Sequence, residues 1–199
     1  MTFDPVSRRS VLRSLGVGAV AGSVLRVIPL EAAEFAHGAI AAEKSAAKGG
    51  AYVPKYFLPQ QYKTLQTLCE TILPADADSG GAIEAGAPEF IDLLTSENPD
   101  YQVKLGGGML WLESSCVDRY GSAYLDCTPV QQKEILDQVA FAKNEEKDPT
   151  LGPGIEFFSL LRSMTADGFF TSKIGIKYLG YQGNVFLTEF PGCPPLPSA

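Results

Sequence analysis

One histidine occurs among 199 residues, His37, and it falls in an N-terminal stretch that the sequence marks as a leader outside the folded body. A body without imidazole excludes a Ser-His-Asp or Cys-His mechanism, a His-ligated zinc and an axial-His haem, because each needs an imidazole whose proton or lone pair is usable near neutral pH. Basic charge is also scarce. Against 23 Asp and Glu stand 16 Lys and Arg, so the net charge is −7 and the electrostatic footprint of a nucleic-acid binder is missing. The apolar run from Leu15 to Leu25 is too short to span a bilayer as a helix, which takes about 20 residues, and Arg26 ends it. Long strand patterns and internal repeats are absent as well.

Cysteine is present but not in chemically informative spacing. None of Cys69, Cys116, Cys127 and Cys193 belongs to a C-x-x-C or C-x-x-C-H arrangement, so covalent haem c has no attachment motif, zinc has no ligand spacing, and no two thiolates lie close enough in sequence to begin an iron–sulfur site. In an exported protein an even count suits disulfides, with Cys116–Cys127 and Cys69–Cys193 the preferred pairing of three. The alternative is buried free thiols, which suits Cys69 and Cys116 on apolar helix faces.

What is there begins with an export signal. Ser7-Arg8-Arg9-Ser10-Val11-Leu12 precedes a Gly- and Ala-rich apolar run and then the small residues Ala39-Ile40-Ala41, the three parts of a signal sequence. The paired arginines, with a large apolar residue at Leu12, resemble a twin-arginine (Tat) signal, which assigns Ser7, Arg8, Arg9 and Leu12 to recognition by the Tat translocase and the chain to the periplasm. Cleavage after Ala41 fits an A-x-A-like site, with the neighbourhoods of Ala33 and Ala47 in competition. Residues 1–50 are therefore expected to be signal and flexible leader, and residues 51–199 the body. The Tat pathway moves folded proteins. A chain with no evident cofactor site gains little from that route, so the signal is expected to serve a partner that loads its cofactor before export.

The body reads as all-α, a single domain of about five helices. Tyr62, Leu65, Leu68, Cys69, Ile72 and Leu73 keep helical spacing behind Pro59, and Pro74 stops that helix. Ala87-Pro88-Glu89 opens a second helix with Phe90, Ile91 and Leu94, which Asn98-Pro99 ends. A third runs from about Tyr101 to Tyr120 with Met109, Leu112, Cys116, Val117 and Tyr120 on one face. Its Gly106-Gly107-Gly108 costs about 1 kcal/mol per glycine and marks a break or a close helix crossing. Thr128-Pro129-Val130-Gln131 is a capping box before Ile135, Leu136, Val139 and Ala140. Ile155 to about Phe170 carries Phe157, Phe158, Leu160, Leu161, Met164 and Phe169. From about residue 172 the pattern dissolves into an irregular Gly-, Pro- and aromatic-rich arm whose Tyr178, Tyr181, Phe186 and Phe190 either meet a partner or wrap the domain itself.

Other candidates have bland readings. Asp76 to Ile83 imitates the first eight positions of a calcium loop, but Ala87 stands where a bidentate Glu is required, so a solvated turn is expected. Glu70, Asp92, Glu113, Asp118 and Asp126 could in principle supply a general acid and base, but the sequence gives no reason to pair any two, and a solvated helix face is the ordinary explanation. Trp111 and the helix aromatics are expected mainly in the core.

Several stretches carry a family resemblance. Tyr56-Phe57-Leu58-Pro59-Gln60-Gln61-Tyr62 continuing to Ile72-Leu73-Pro74-Ala75-Asp76, Ala85 to Asp92, Gln131 to Leu136, and Phe157 to Asn184 resemble the gluconate 2-dehydrogenase small (gamma) subunit family, in matching order over most of the body. The resemblance implies a small non-catalytic subunit that binds no cofactor itself. It implies a partner, an FAD-dependent flavoprotein of the glucose-methanol-choline (GMC) type, often with a multihaem cytochrome c, and export of the flavoprotein on this chain's Tat signal. It supplies no catalytic residues. The rival expectation is an independent exported enzyme built on converging helix-borne carboxylates such as Glu113 and Asp118.

Overall fold

Proline sets where the helices begin. Pro59, Pro88, Pro99, Pro129 and Pro153 each stand in a first helical turn, where a missing N–H costs nothing and a fixed φ is already helical. The structure, a computed structural model, describes residues 29–47, 50–181 and 183, and among these every regular element is helical. In chain order they are α1 (Leu30–Ala46), α2 (Pro59–Ile72), the one-turn α3 (Ala82–Ala85), α4 (Ala87–Glu97), α5 over 99–120, α6 (Pro129–Val139), α7 (Gly152–Phe170) and α8 (Lys173–Tyr178). The five helices expected from periodicity are all present, and α1, α3 and α8 add to them.

Helix α4 is buried on nearly every side, from Ala87 through Leu93 and again at Thr95. A helix that is apolar all round belongs in the centre of a fold. It packs on α7, and around this pair the other helices assemble: α1 on α4, and α2, α5, α6 and α8 on α7. Leu65, Leu68, Phe90, Ile91, Leu112, Ile135 and Leu161 meet in one continuous core.

Helix α5 is α-helical over Pro99–Tyr101, passes through a π-helical turn at Gln102–Gly106, and is α-helical again over Gly107–Tyr120. The turn widens where the Tyr56 hydroxyl donates to the Gln102 carbonyl at 2.9 Å, a side-chain insertion of the kind that produces such bulges. Close crossing is the role of the next glycine. A methyl group on Gly108 would sit 2.1 Å from Cδ2 of Phe157 in α7, and one on Gly154 of α7 would sit 2.4 Å from Cη2 of Trp111 in α5. Each helix thus offers a glycine to the aromatic ring of the other, three residues from its own ring, and the axes approach more closely than any side chain would permit. Of the face expected on α5, Met109, Leu112 and Cys116 are buried, but Val117 is half exposed.

Helix α1 corrects the boundary of the body. Residues 1–28 lie outside the described residues, but 30–46, read from the sequence as leader, form a helix docked on α4 with Ala33, Ala36 and Ile40 buried. Small side chains let its backbone approach α4. Lys44 reaches Glu89 at 2.6 Å, and Glu43 pairs with Lys55. His37 accordingly lies inside the fold.

Candidate functional site

Three of the five helix-borne carboxylates hold chain segments in place. Asp92, fully buried on α4, accepts from the amides of Tyr56 and Phe57 on Oδ1 at 3.1 and 3.0 Å, and from the Lys55 amide and the Tyr52 hydroxyl on Oδ2 at 2.7 and 2.8 Å. Four donors replace the water that the ion gives up, and in return the segment 52–57 is strapped across the centre of the domain. Glu70 accepts from the amides of Ala75 and Ile83, both at 3.2 Å, and so shapes the loop between α2 and α3. Glu113 takes the Tyr124 amide at 3.0 Å and, more weakly, the Thr64 hydroxyl at 3.4 Å. The solvated face expected for Asp92 is not where Asp92 lies: its side chain is fully buried, and α4 is exposed only toward its C-terminal end, at Glu97.

The imidazole is committed in the same way. His37 stacks on Phe90, with ring centroids 5.1 Å apart, and its Nε2 lies 3.0 Å from Oγ1 of Thr171. The Thr171 hydroxyl donates to the Asp167 carbonyl at 2.6 Å, so Nε2 must carry the proton in the His37 contact. Burial pushes the His37 pKa below its ordinary value, which favours this neutral form. Donating to a hydroxyl that itself donates elsewhere, His37 clasps α1 to the end of α7.

A cleft of about 500 Å³ opens between α5, α6 and the 3₁₀ turn Pro149–Leu151. Its walls carry Trp111, Ser114, Asp118, Arg119, Gln138 and Asp148. Glu113, the acid paired with Asp118 in the enzymatic expectation, is not among the lining residues; Asp148 stands with Asp118 instead. The Thr150 hydroxyl and amide, at 2.6 and 3.0 Å, hold the Asp148 carboxyl below the usual carboxylate range. A general acid needs the opposite shift. The one described carboxyl shifted upward is Asp167 on α7, to about 6 by burial, and it does not line the cleft.

The remaining predicted residues separate into two groups. Tyr178 and Tyr181 stand at the surface, each about half exposed at 51% and 52%, where α8 ends. Ser7, Arg8, Arg9, Leu12, Phe186, Phe190 and Cys193 lie outside the described residues. Cys69, Cys116 and Cys127 are buried free thiols: Cys69 faces Oγ1 of Thr165 at 3.6 Å, while burial first, and then the neighbouring Cys127, raises the Cys116 pKa. Asp76 receives the amides of Asp78 and Ser79, both at 2.8 Å, in an Asx turn. Among the described residues no three His, Cys, Asp or Glu side chains converge where a metal could sit, and no helix is long and apolar enough to cross a membrane.

The sequence missed the Asp92 strap and the Asp148–Thr150 wall of the cleft. For Asp92 a signal was present: a carboxylate set between Phe90-Ile91 and Leu93-Leu94 has large apolar neighbours on both sides, and once buried with them it must find donors.

Comparison with known proteins yields no match among curated proteins or solved structures. A family model for gluconate 2-dehydrogenase subunit 3 does match, over residues 59–192. That span takes in α2 to α8 and with them the strapping carboxylates and the α5–α7 crossing, so the match covers the architecture itself and more than half of the chain. This all-helical chain belongs to the gluconate 2-dehydrogenase subunit 3 family.

Proposed function

We propose that the chain is the non-catalytic small subunit of a periplasmic, FAD-dependent dehydrogenase of the GMC type acting on sugars or polyols, and that it carries the flavoprotein through the Tat pathway and stabilises it. The observation that supports this reading most directly is the family match over 59–192, which makes the chain a subunit of a dehydrogenase complex. The side-chain chemistry agrees: the imidazole and the buried carboxylate Asp92 are used to hold the fold together. On this reading FAD belongs to the partner, haem c to a multihaem cytochrome subunit where one is present, and this chain binds neither. The twin arginines Arg8 and Arg9 supply the export signal, and the exposed rings Tyr178 and Tyr181, continuing toward Phe186 and Phe190, supply part of the docking surface.

The test is co-purification. The tagged chain is expressed with the genes that neighbour its own and recovered from the periplasm, and the absorption spectrum of whatever co-elutes is recorded. A flavin spectrum that disappears from the periplasm on Arg8→Lys with Arg9→Lys is the expected result. Elution of the chain alone and colourless, with no other protein's export changed by the arginine substitutions, refutes the proposal.

A further inference from the structure

Helix α5 ends at Tyr120, Gly121 reverses the chain at φ 70°, and the 3₁₀ turn Tyr124–Asp126, just before Cys127, packs back against α5. The return is held from both sides. Glu113 accepts the Tyr124 amide at 3.0 Å, and the Gln132 side-chain amide donates to the Tyr124 carbonyl at 2.8 Å. Cys116, three residues after Glu113, is fully buried, and Cys127, three residues after Tyr124, is nearly so; the Glu113–Tyr124 contact thus draws both thiols to the same end of α5. Cys127 also faces the Ser122 carbonyl at 3.8 Å. Cys69, by contrast, has the Thr165 hydroxyl as its neighbour.

We propose that Cys116 and Cys127 are an oxidisable dithiol that closes to an intrachain disulfide and staples the end of α5 to the start of α6. The reaction is exchange with a small or protein disulfide. One cysteine thiolate attacks a sulfur of the incoming disulfide, forming a mixed disulfide and releasing one thiolate. The second cysteine thiolate then attacks the protein sulfur of that mixed bond and releases the other. Two protein thiols lose two electrons, the incoming disulfide gains them, and the two thiol protons pass to the released thiolates. Burial pushes the Cys116 thiol up to about 12, so little thiolate exists in the closed fold, and exchange proceeds when the 121–127 return opens. The staple fixes the segment that joins two walls of the cleft, those carrying Asp118 and Gln138.

The test uses the purified full chain, equilibrated with oxidised glutathione or with dithiothreitol, unfolded in N-ethylmaleimide and mapped by mass spectrometry without reduction. The expected result is a Cys116–Cys127 peptide pair lighter by two hydrogens after oxidation, with Cys69 alkylated in both samples. The oxidised chain should also melt roughly 5–10 °C above the reduced one, since a short closed loop restricts the unfolded chain. Alkylation of both cysteines after oxidation, or Cys127 bonded to Cys69, Cys193 or glutathione, overturns the proposal. Cys116→Ala with Cys127→Ala should abolish the redox-dependent difference in melting, and a difference that persists assigns it to another pair.

Discussion

Gly107 and Gly108 are neighbours in α5, yet an added methyl group should move stability in opposite directions at the two positions. Alanine in a helix interior is favoured over glycine by about 1 kcal/mol, because it loses less backbone entropy on folding. Gly107 faces solvent and nothing lies within 4 Å of its ideal Cβ, so Gly107→Ala should stabilise the fold by about 0.5–1 kcal/mol. At Gly108 the same methyl would lie 2.1, 2.2 and 2.4 Å from Cδ2, Cγ and Cβ of Phe157. Because Phe157 Cβ is itself too close, rotating the ring gives no relief; α5 and α7 must separate, within a core where Phe157 is 2% exposed. Forcing a methylene into such packing costs about 1–3 kcal/mol. Net of the propensity gain of about 1 kcal/mol, Gly108→Ala should destabilise by up to about 2 kcal/mol. Urea unfolding followed by circular dichroism at 222 nm measures both variants, with an unchanged slope against denaturant as the sign that only stability has moved. Phe157→Leu should reduce the penalty of Gly108→Ala, a coupling that a double-mutant cycle isolates. If Gly108→Ala proves as stable as Gly107→Ala, the close α5–α7 crossing is wrong.

Asp92→Ala should cost at least ~3 kcal/mol, because the Phe57 amide and its companions lose a charged acceptor inside the core; hydrogen exchange at residues 55–57 should rise before global unfolding. Asp167 binds its proton more tightly when folded, its carboxyl being raised to about 6, so its ionisation opposes folding: stability falls as pH rises from about 4 to 6 and the full cost is present above that. Asp167→Asn should therefore gain about 1–2 kcal/mol at pH 7, discounted for partial exposure, and nearly nothing at pH 4, as thermal melts at the two pH values would show. His37 has the opposite sign. Its lowered pKa makes the wild type lose stability on acidification below about 6.5, and His37→Gln should flatten that limb of the pH profile. Thr128→Ala removes the acceptor for the Gln131 amide at 3.3 Å and should cost about 1 kcal/mol in the same urea assay.

The helices most legible in the sequence are those with a local cause. Thr128-Pro129-Val130-Gln131 writes its own N-terminus, and the structure shows Gln131 Oε1 receiving the Thr128 amide at 2.9 Å in return. Pro59 and Pro88 act likewise at α2 and α4. Helix α1 was hidden for the opposite reason: its buried contacts are made by Ala33, Ala36 and Ile40, residues equally at home in a processed leader, and only the presence of α4 distinguishes the two. The three glycines of α5 announced a break or a crossing. The choice depended on Phe157, almost fifty residues further on, which no local pattern contains. Asp92 was misjudged because a solvated face was assumed for it as for Asp118 and Asp126, which are exposed; whether a position on α4 is solvated is decided by its neighbours.

Helix α1 also contains the Ala41–Ala42 bond, where the leader reading places a cut. Peptidases act on extended segments, so although Ala41 and Ala42 are exposed, the bond is not in a cleavable conformation while α1 is helical. Processing there and the His37 clasp on Thr171 thus exclude each other in time: a peptidase must arrive before docking, or it finds no substrate. A mature chain beginning at Ala42 would meet its partner with Phe90 stripped of its imidazole cover, and one that keeps α1 would meet it sealed. N-terminal sequencing of the mature chain tells these two histories apart.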